Sequence, residues 1–149
     1  MGLTSNASEL SALMERRAEM YAAEIRRSQL ENASLIMEKA RELSSQRRLS
    51  TLQQQMMGNP YASAHPHPPL PPYIINDQGG SFSKSWVVEE QDGPDGPTAT
   101  VTNTAPHAKY MRGTSRMIPR PVLDEAIRET AQQRRLNLDA HRRRAMSAR

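Results

Sequence analysis

His65 and His67 stand one residue apart in the run AHPHPPLPP, and two imidazoles that close are the beginning of a metal site. Pro66 lies between them and no third ligand follows nearby, so the ligand count of a structural site is not met and a plain linker is the better reading. His107 is a candidate general base, yet no nucleophile or paired acid stands at a recognisable spacing from it. The chain has no cysteine, which excludes disulfides and thiolate metal sites and leaves the redox compartment open. A glycine-rich phosphate loop, a metal-ligand cluster and a Ser/His/Asp spacing are all missing from the sequence. The expectation is a chain with no catalytic residue, no metal and no cofactor.

What remains is a chemistry of contact. Residues 109–149 carry a strong excess of Lys and Arg, ending in the run Arg142-Arg143-Arg144. Residues 58–108 are acidic, with Lys84 set against Asp77, Glu89, Glu90, Asp92 and Asp95, while residues 6–57 are close to balance. A basic tail beside an acidic middle suggests complementary contacts between copies or with an acidic partner. For the tail itself, a solvated charged face and a contact with acidic protein or nucleic acid both stand open.

The elements that would position these charges read as one small domain of 149 residues. Mean hydropathy is −0.76 and aromatic residues make up 4%, so one chain can bury a small core and neighbouring copies could complete it, with disorder in isolation the competing reading. No apolar run approaches the ~20 residues of a membrane span. The start MGLTSNASEL lacks a signal-peptide layout, and Asn6 fails the Ser/Thr slot of a myristoylation motif. A protein that is soluble and cytosolic when made, with no membrane partner, is the expectation.

Residues 6–57 read as a helix. Asn6 and Glu9 have capping-box spacing, and Leu10, Leu13, Met14, Tyr21 and Ile25 share a face that Ile36, Ala40 and Leu43 continue. Gly58-Asn59-Pro60 is a strong stop. A helix that long would measure about 75 Å, more than a small domain covers, so it breaks near Ser44-Ser45 or one end packs on other subunits. Residues 58–80 carry six prolines and read as an extended spacer, with an SH3-type ligand as the alternative for PHPPLPP. Residues 81–120 read as a β-hairpin and loop. Ser83 to Glu89 forms a strand around Trp86, Gln91 to Pro97 is turn chemistry, and Thr98 to Thr104 places Ala99, Val101 and Asn103 on one face. Trp86 is the expected core anchor. Gly113 allows a sharp turn, and Pro119 and Pro121 hold Arg120 extended. Residues 121–149 read as one basic C-terminal helix, with Pro121, Asp124 and Glu125 suiting its first turn and Val122, Leu123, Ala126, Ile127 and Thr130 opening an apolar face that thins to Leu136 and Leu138. The fold class is therefore α+β: a long N-terminal helix packed on a small antiparallel β-sheet, with a proline-rich extended insert and a basic C-terminal helix.

The run NTAPHAKYMRGTSRMIPRPVLDEAI resembles the signature of the tail-completion, or head–tail joining, proteins of long-tailed bacteriophages. Asn103 and Ala105 fill that family's strand end, Ala108, Tyr110, Gly113 and Thr114 its crossing, and Arg120, Pro121, Leu123 and Ala126 the start of its last helix. Upstream, Gly80, Phe82 and Ser85 match its Thr-Gly-x-Leu-x-x-Ser. The departures are His107 in a Tyr slot, Met111-Arg112 for Val-Glu, Val122 for Phe, Gly79 for Thr, and a missing proline before the Thr-Gly. The likeness covers residues 79–130 closely and 10–45 loosely. It implies a structural virion subunit, assembled in the host cytoplasm, that forms a homo-oligomeric ring at the neck or tail top. Its partners would be other neck, connector and tail-tube proteins, with nonspecific contact to DNA in the lumen. The expected subunit or partner interface is Tyr110, Arg112, Gly113, Arg116, Arg120, Arg142, Arg143 and Arg144. The rival classes are a basic nucleic-acid-binding protein and a filament-lining structural protein.

Overall fold

The computed structural model describes residues 3–45, 75, 79–93, 96–114 and 119–147. Residues 46–57 of the expected first helix, the proline-rich segment apart from Ile75, Gly79 and Gly80, and Arg116 lie outside them, and His65 and His67 with them.

Helix α1 spans Leu3–Ser45, about 65 Å of continuous helix. It holds no Gly or Pro, and Ala, Glu, Arg, Leu and Met dominate it, all strong helix formers. Ion pairs three residues apart support it: Arg27 to Glu24 at 2.8 Å and Lys39 to Glu42 at 3.0 Å.

A single helical turn, α2 (Ser81–Lys84), precedes strand β1 (Trp86–Gly93), which pairs antiparallel with β2 (Gly96–Asn103). The register runs from Trp86 opposite Asn103 to Gly93 opposite Gly96. The first strand thus begins three residues later than the sequence suggested. Gly80 takes a left-handed conformation (φ 71°), and the Ser83 and Ser85 hydroxyls donate back to the Gly80 and Ser81 carbonyls, closing a turn where a strand was expected. The ladder also runs through most of the stretch read as turn, as far as Gly93 and Gly96, where Gly96 has φ 107°. In β2 the expected alternation holds over Thr98–Val101, with Thr98 and Thr100 exposed and Ala99 and Val101 half-buried, and fades at the core end, where Thr102 is half-buried like Asn103.

Asn103 ends the hairpin with a clamp. Its amide donates to the Phe82 carbonyl at 2.8 Å, and its carbonyl accepts the Ala105 N–H at 2.9 Å. A 3₁₀ turn follows at Ala108–Arg112, and Gly113 leaves it at φ 88°. The Arg120 N–H then donates to the Met111 carbonyl at 2.8 Å, returning the chain to the body. Two helices finish the fold, α3 (Val122–Glu129) and α4 (Ala131–Ser147), where one was expected. The break is Thr130, whose hydroxyl donates to the Ala126 carbonyl at 2.7 Å while Arg134 donates to that hydroxyl and to the Ile127 carbonyl. Pro121 stands at the N-cap of α3, with Asp124 and Glu125 in its first turn.

The architecture is α+β: a long N-terminal helix packed against a two-stranded antiparallel hairpin and C-terminal helices. The core sits at the C-terminal end of α1, where Ala40 and Leu43 meet Phe82, Trp86, Val122 and Ala126. Trp86 is its anchor, as expected: 4% exposed, edge-on to Phe82 at 5.6 Å, its indole N–H donating to the Ser44 hydroxyl at 3.0 Å. Two apolar expectations fail. Ile127 and Leu136 are 39% and 53% exposed, because α3 and α4 turn other faces to α1. The first half of α1 is also uncovered, with Leu10, Leu13, Met14 and Tyr21 between 43% and 64% exposed.

Candidate interaction surfaces

Helix α1 is a spine held from two sides. On one side lies the hairpin: Arg41 donates to the Trp86 carbonyl at 2.8 Å, and far along the strand Arg26 pairs with Glu90 and reaches Asp92 at 3.5 Å. These contacts raise the Arg26 pKa, the Glu90 hydrogen bond first and the Asp92 charge next. On the other side lie α3 and α4. Lys39 bonds Glu129 at 2.9 Å, Asn32 meets the Arg134 carbonyl and the Asn137 amide, and Arg144 reaches Glu24 at 3.5 Å. The acidic hairpin and the basic tail, separate in sequence, are thus each partly answered by α1 within one chain.

The most enclosed of these contacts is His141, 2% exposed, between two carboxylates of α1. Its Nδ1 lies 2.7 Å from Glu24 and its Nε2 2.9 Å from Glu31. The hydrogen bond from His141 holds the Glu24 carboxyl below its ordinary pKa, against the opposing effect of burial and with help from Arg27 and Arg144. Sequence reading passed over this clamp. Its trace was Glu24 and Glu31 seven residues apart, on one helix face, with a histidine inside a basic helix.

The residues expected at an interface fall into two groups. Tyr110 (45% exposed), Arg112 and Gly113 lie on the 3₁₀ crossing, whose Met111 packs on the core, and Lys109 sits over the Tyr110 ring at 5.1 Å. Arg142, Arg143 and Arg144 are exposed near the far end of α4, at the level of Glu24 on α1. The levels of Glu24 and Ala40 are about 24 Å apart along the helix, so the structure does not gather the two groups into one site. Arg120 is 6% exposed and lies inside the domain. His107 is exposed, its ring tilted on Phe82 at 5.4 Å. Among the described residues no group of three or more His, Cys, Asp or Glu could hold a metal ion, and no helix is long and apolar enough to cross a membrane.

The surface that sequence reading assigned to the core is the third candidate. Residues 3–23 of α1 reach beyond the contacts of both the hairpin and α4, carrying Leu10, Leu13, Met14, Met20 and Tyr21 into solvent. No family model, no curated protein and no solved structure matches this chain.

Proposed function

We propose that this chain is a structural assembly subunit that forms a homo-oligomeric ring, and that the ring completes a bacteriophage tail at its neck and helps join it to the head. The observation that carries the first part is the apolar arm of α1. A water-soluble chain that projects Leu10, Leu13, Met14 and Tyr21 on about 30 Å of bare helix has surface to bury on another chain. The particular assembly rests on the resemblance between residues 79–130 and the tail-completion family. The order of elements supports it: long helix, hairpin ending in Asn103, crossing through Gly113, and closing helices entered through Arg120-Pro121, here two rather than one. In this reading the chain performs no enzymatic step. Ring closure comes from a heterologous contact repeated by rotation, and the partners are neck, connector and tail-tube proteins.

A second reading, a nucleic-acid-binding protein, has Arg142 and Arg143 in its favour. Both are exposed on α4, and no ion pair involves either among the described residues. The two readings separate in solution. Light scattering across a concentration series, with electron microscopy of the same samples, should give a discrete ring. A monomer at every concentration whose binding to duplex DNA falls steeply with salt would favour the second.

A further inference from the structure

We propose that the exposed arm of α1 is the surface through which copies dock on one another, one edge of the stripe on each arm lying on the other edge of the next, a heterologous contact that can repeat around a ring. This rests on the homo-oligomer reading above and places its contact. The exposed stripe is the free continuation of a seam already used inside the monomer. Residues seven apart lie almost on one line along a helix. One such line is Leu10, Arg17, Glu24 and Glu31, whose last two members hold His141 of α4. A second is Met14, Tyr21 and Ser28, where Ser28 is 1% exposed. Both lines pass unbroken from the half of α1 that α4 covers into the half that it does not. The last ion pair of α4 with α1 among the described residues is Arg144 with Glu24, three residues before α4 ends, and Tyr21, Met14, Leu13 and Leu10 beyond it are exposed.

Two features choose a second copy as the occupant. The arm carries charges of both signs, Glu9, Glu15 and Glu19 with Arg16 and Arg17, so an identical arm is not repelled. The same mixture is a poor match for an anionic membrane or a nucleic acid, which select a Lys/Arg-rich face. Every copy also carries the same uncovered stripe, so one contact covers an edge of two of them.

The chain has no native cysteine, so a single introduced thiol reports on its own position. Met14→Cys places it in the stripe, and Glu19→Cys places it on the same arm, on the face opposite the centre of the stripe. Alkylation of the full chain by iodoacetamide is followed from dilute to concentrated protein, with the mass measured by light scattering. The expected result is equal rates when dilute, and on concentration a slowing of about tenfold or more for Met14→Cys alone, as occupation of the interface in nine copies of ten requires. In parallel, Leu10→Glu with Met14→Glu should lower the mass to that of a monomer with unchanged circular dichroism. An oligomer that survives the double glutamate variant, or equal rates at both positions, overturns the arm contact and leaves the ring reading standing. A wild-type monomer at every concentration overturns both.

Discussion

The two halves of α1 are built from similar helix-forming residues and meet opposite fates. From Glu24 onward the helix is clasped between the hairpin and α3–α4, and its buried positions are mostly small: Ser28, Ala33, Ala40 and Ser44, with Leu43 the largest. Its larger apolar side chains, Ile25, Leu30, Leu35, Ile36 and Met37, are half-buried, with Ile36 and Met37 packed on the core. Before Glu24 it is bare: Leu10, Leu13, Met14, Met20 and Tyr21 stand exposed among alanines. Small side chains let two elements approach closely, and in the core end Phe82 and Trp86 supply the bulk from the other side. In the bare half the large side chains meet no such counterpart among the described residues. The two halves differ in what covers them rather than in what they are made of.

The sharpest way to break that comparison is to truncate one residue in each half. Trp86→Ala removes the core anchor and the N–H that the Ser44 hydroxyl accepts, and should cost about 3–5 kcal/mol, enough to unfold much of a domain with so small a core. Met14→Ala should leave the stability of the dilute monomer within about 0.5 kcal/mol, since its side chain touches no core. Urea unfolding of both variants at low concentration checks the pair. A large loss at Met14 in the monomer would mean that the arm folds back on the body.

The second contrast lies within the covered half, between its apolar end and its polar seam with α4. His141→Ala removes the ring that ties Glu24 and Glu31 to α4. The expected outcome is faster amide exchange across α4, a smaller loss of global stability than in Trp86→Ala, and unchanged protection around Phe82 and Val122. Uniform loss of protection would make the seam part of the core rather than a separate latch.

Acid should act on the same latch. The folded-state pKa of Glu24 lies below its ordinary 4.5, first because His141 donates to it and then through Arg27 and Arg144. Its contribution to stability is therefore fully present above that ordinary value and is lost as pH falls through the depressed one. The protection factors of α4 amides, with the intrinsic pH dependence of exchange divided out, should fall selectively below about pH 4.5, and Glu24→Gln should remove much of that loss. Exchange measured between neutral pH and pH 3 decides it.

Much of this was legible in the residues themselves. Trp86, the alternation over Thr98–Val101, and the acid-rich first turn of α3 follow from periodicity and helix-end chemistry. The late start of β1 was not, because GGSFSKS satisfies a strand pattern as well as a turn until Gly80 and the two serine hydroxyls choose. Nor was the fate of Leu10 to Tyr21: periodicity identifies an apolar face without saying whether anything in the chain reaches it. Of the residues expected at an interface, Arg120 was read as held extended between two prolines, and that local geometry carries no information on its burial, which is 6% exposure within the chain.

The finest test of the comparison uses two serines of α1 that are equally hidden. Ser44 is 2% exposed, accepts the indole N–H of Trp86 and donates to the Ala40 carbonyl. Ser28 is 1% exposed, and its hydroxyl has no partner among the described residues. A buried hydroxyl that has lost water without gaining a partner is a cost, and alanine is also the better helix former. Ser28→Ala should therefore stabilise the protein by about 1 kcal/mol, whereas Ser44→Ala should destabilise it by about the same amount or more by leaving the indole N–H unpaired. Urea unfolding of the two variants reads the signs directly. Opposite signs would mean that the core end of α1 is held by specific polar contacts and that the seam with α4 tolerates an unmatched one. A loss at Ser28 would show its hydroxyl to be held by water or by the α4 backbone, and the seam to be as exacting as the core.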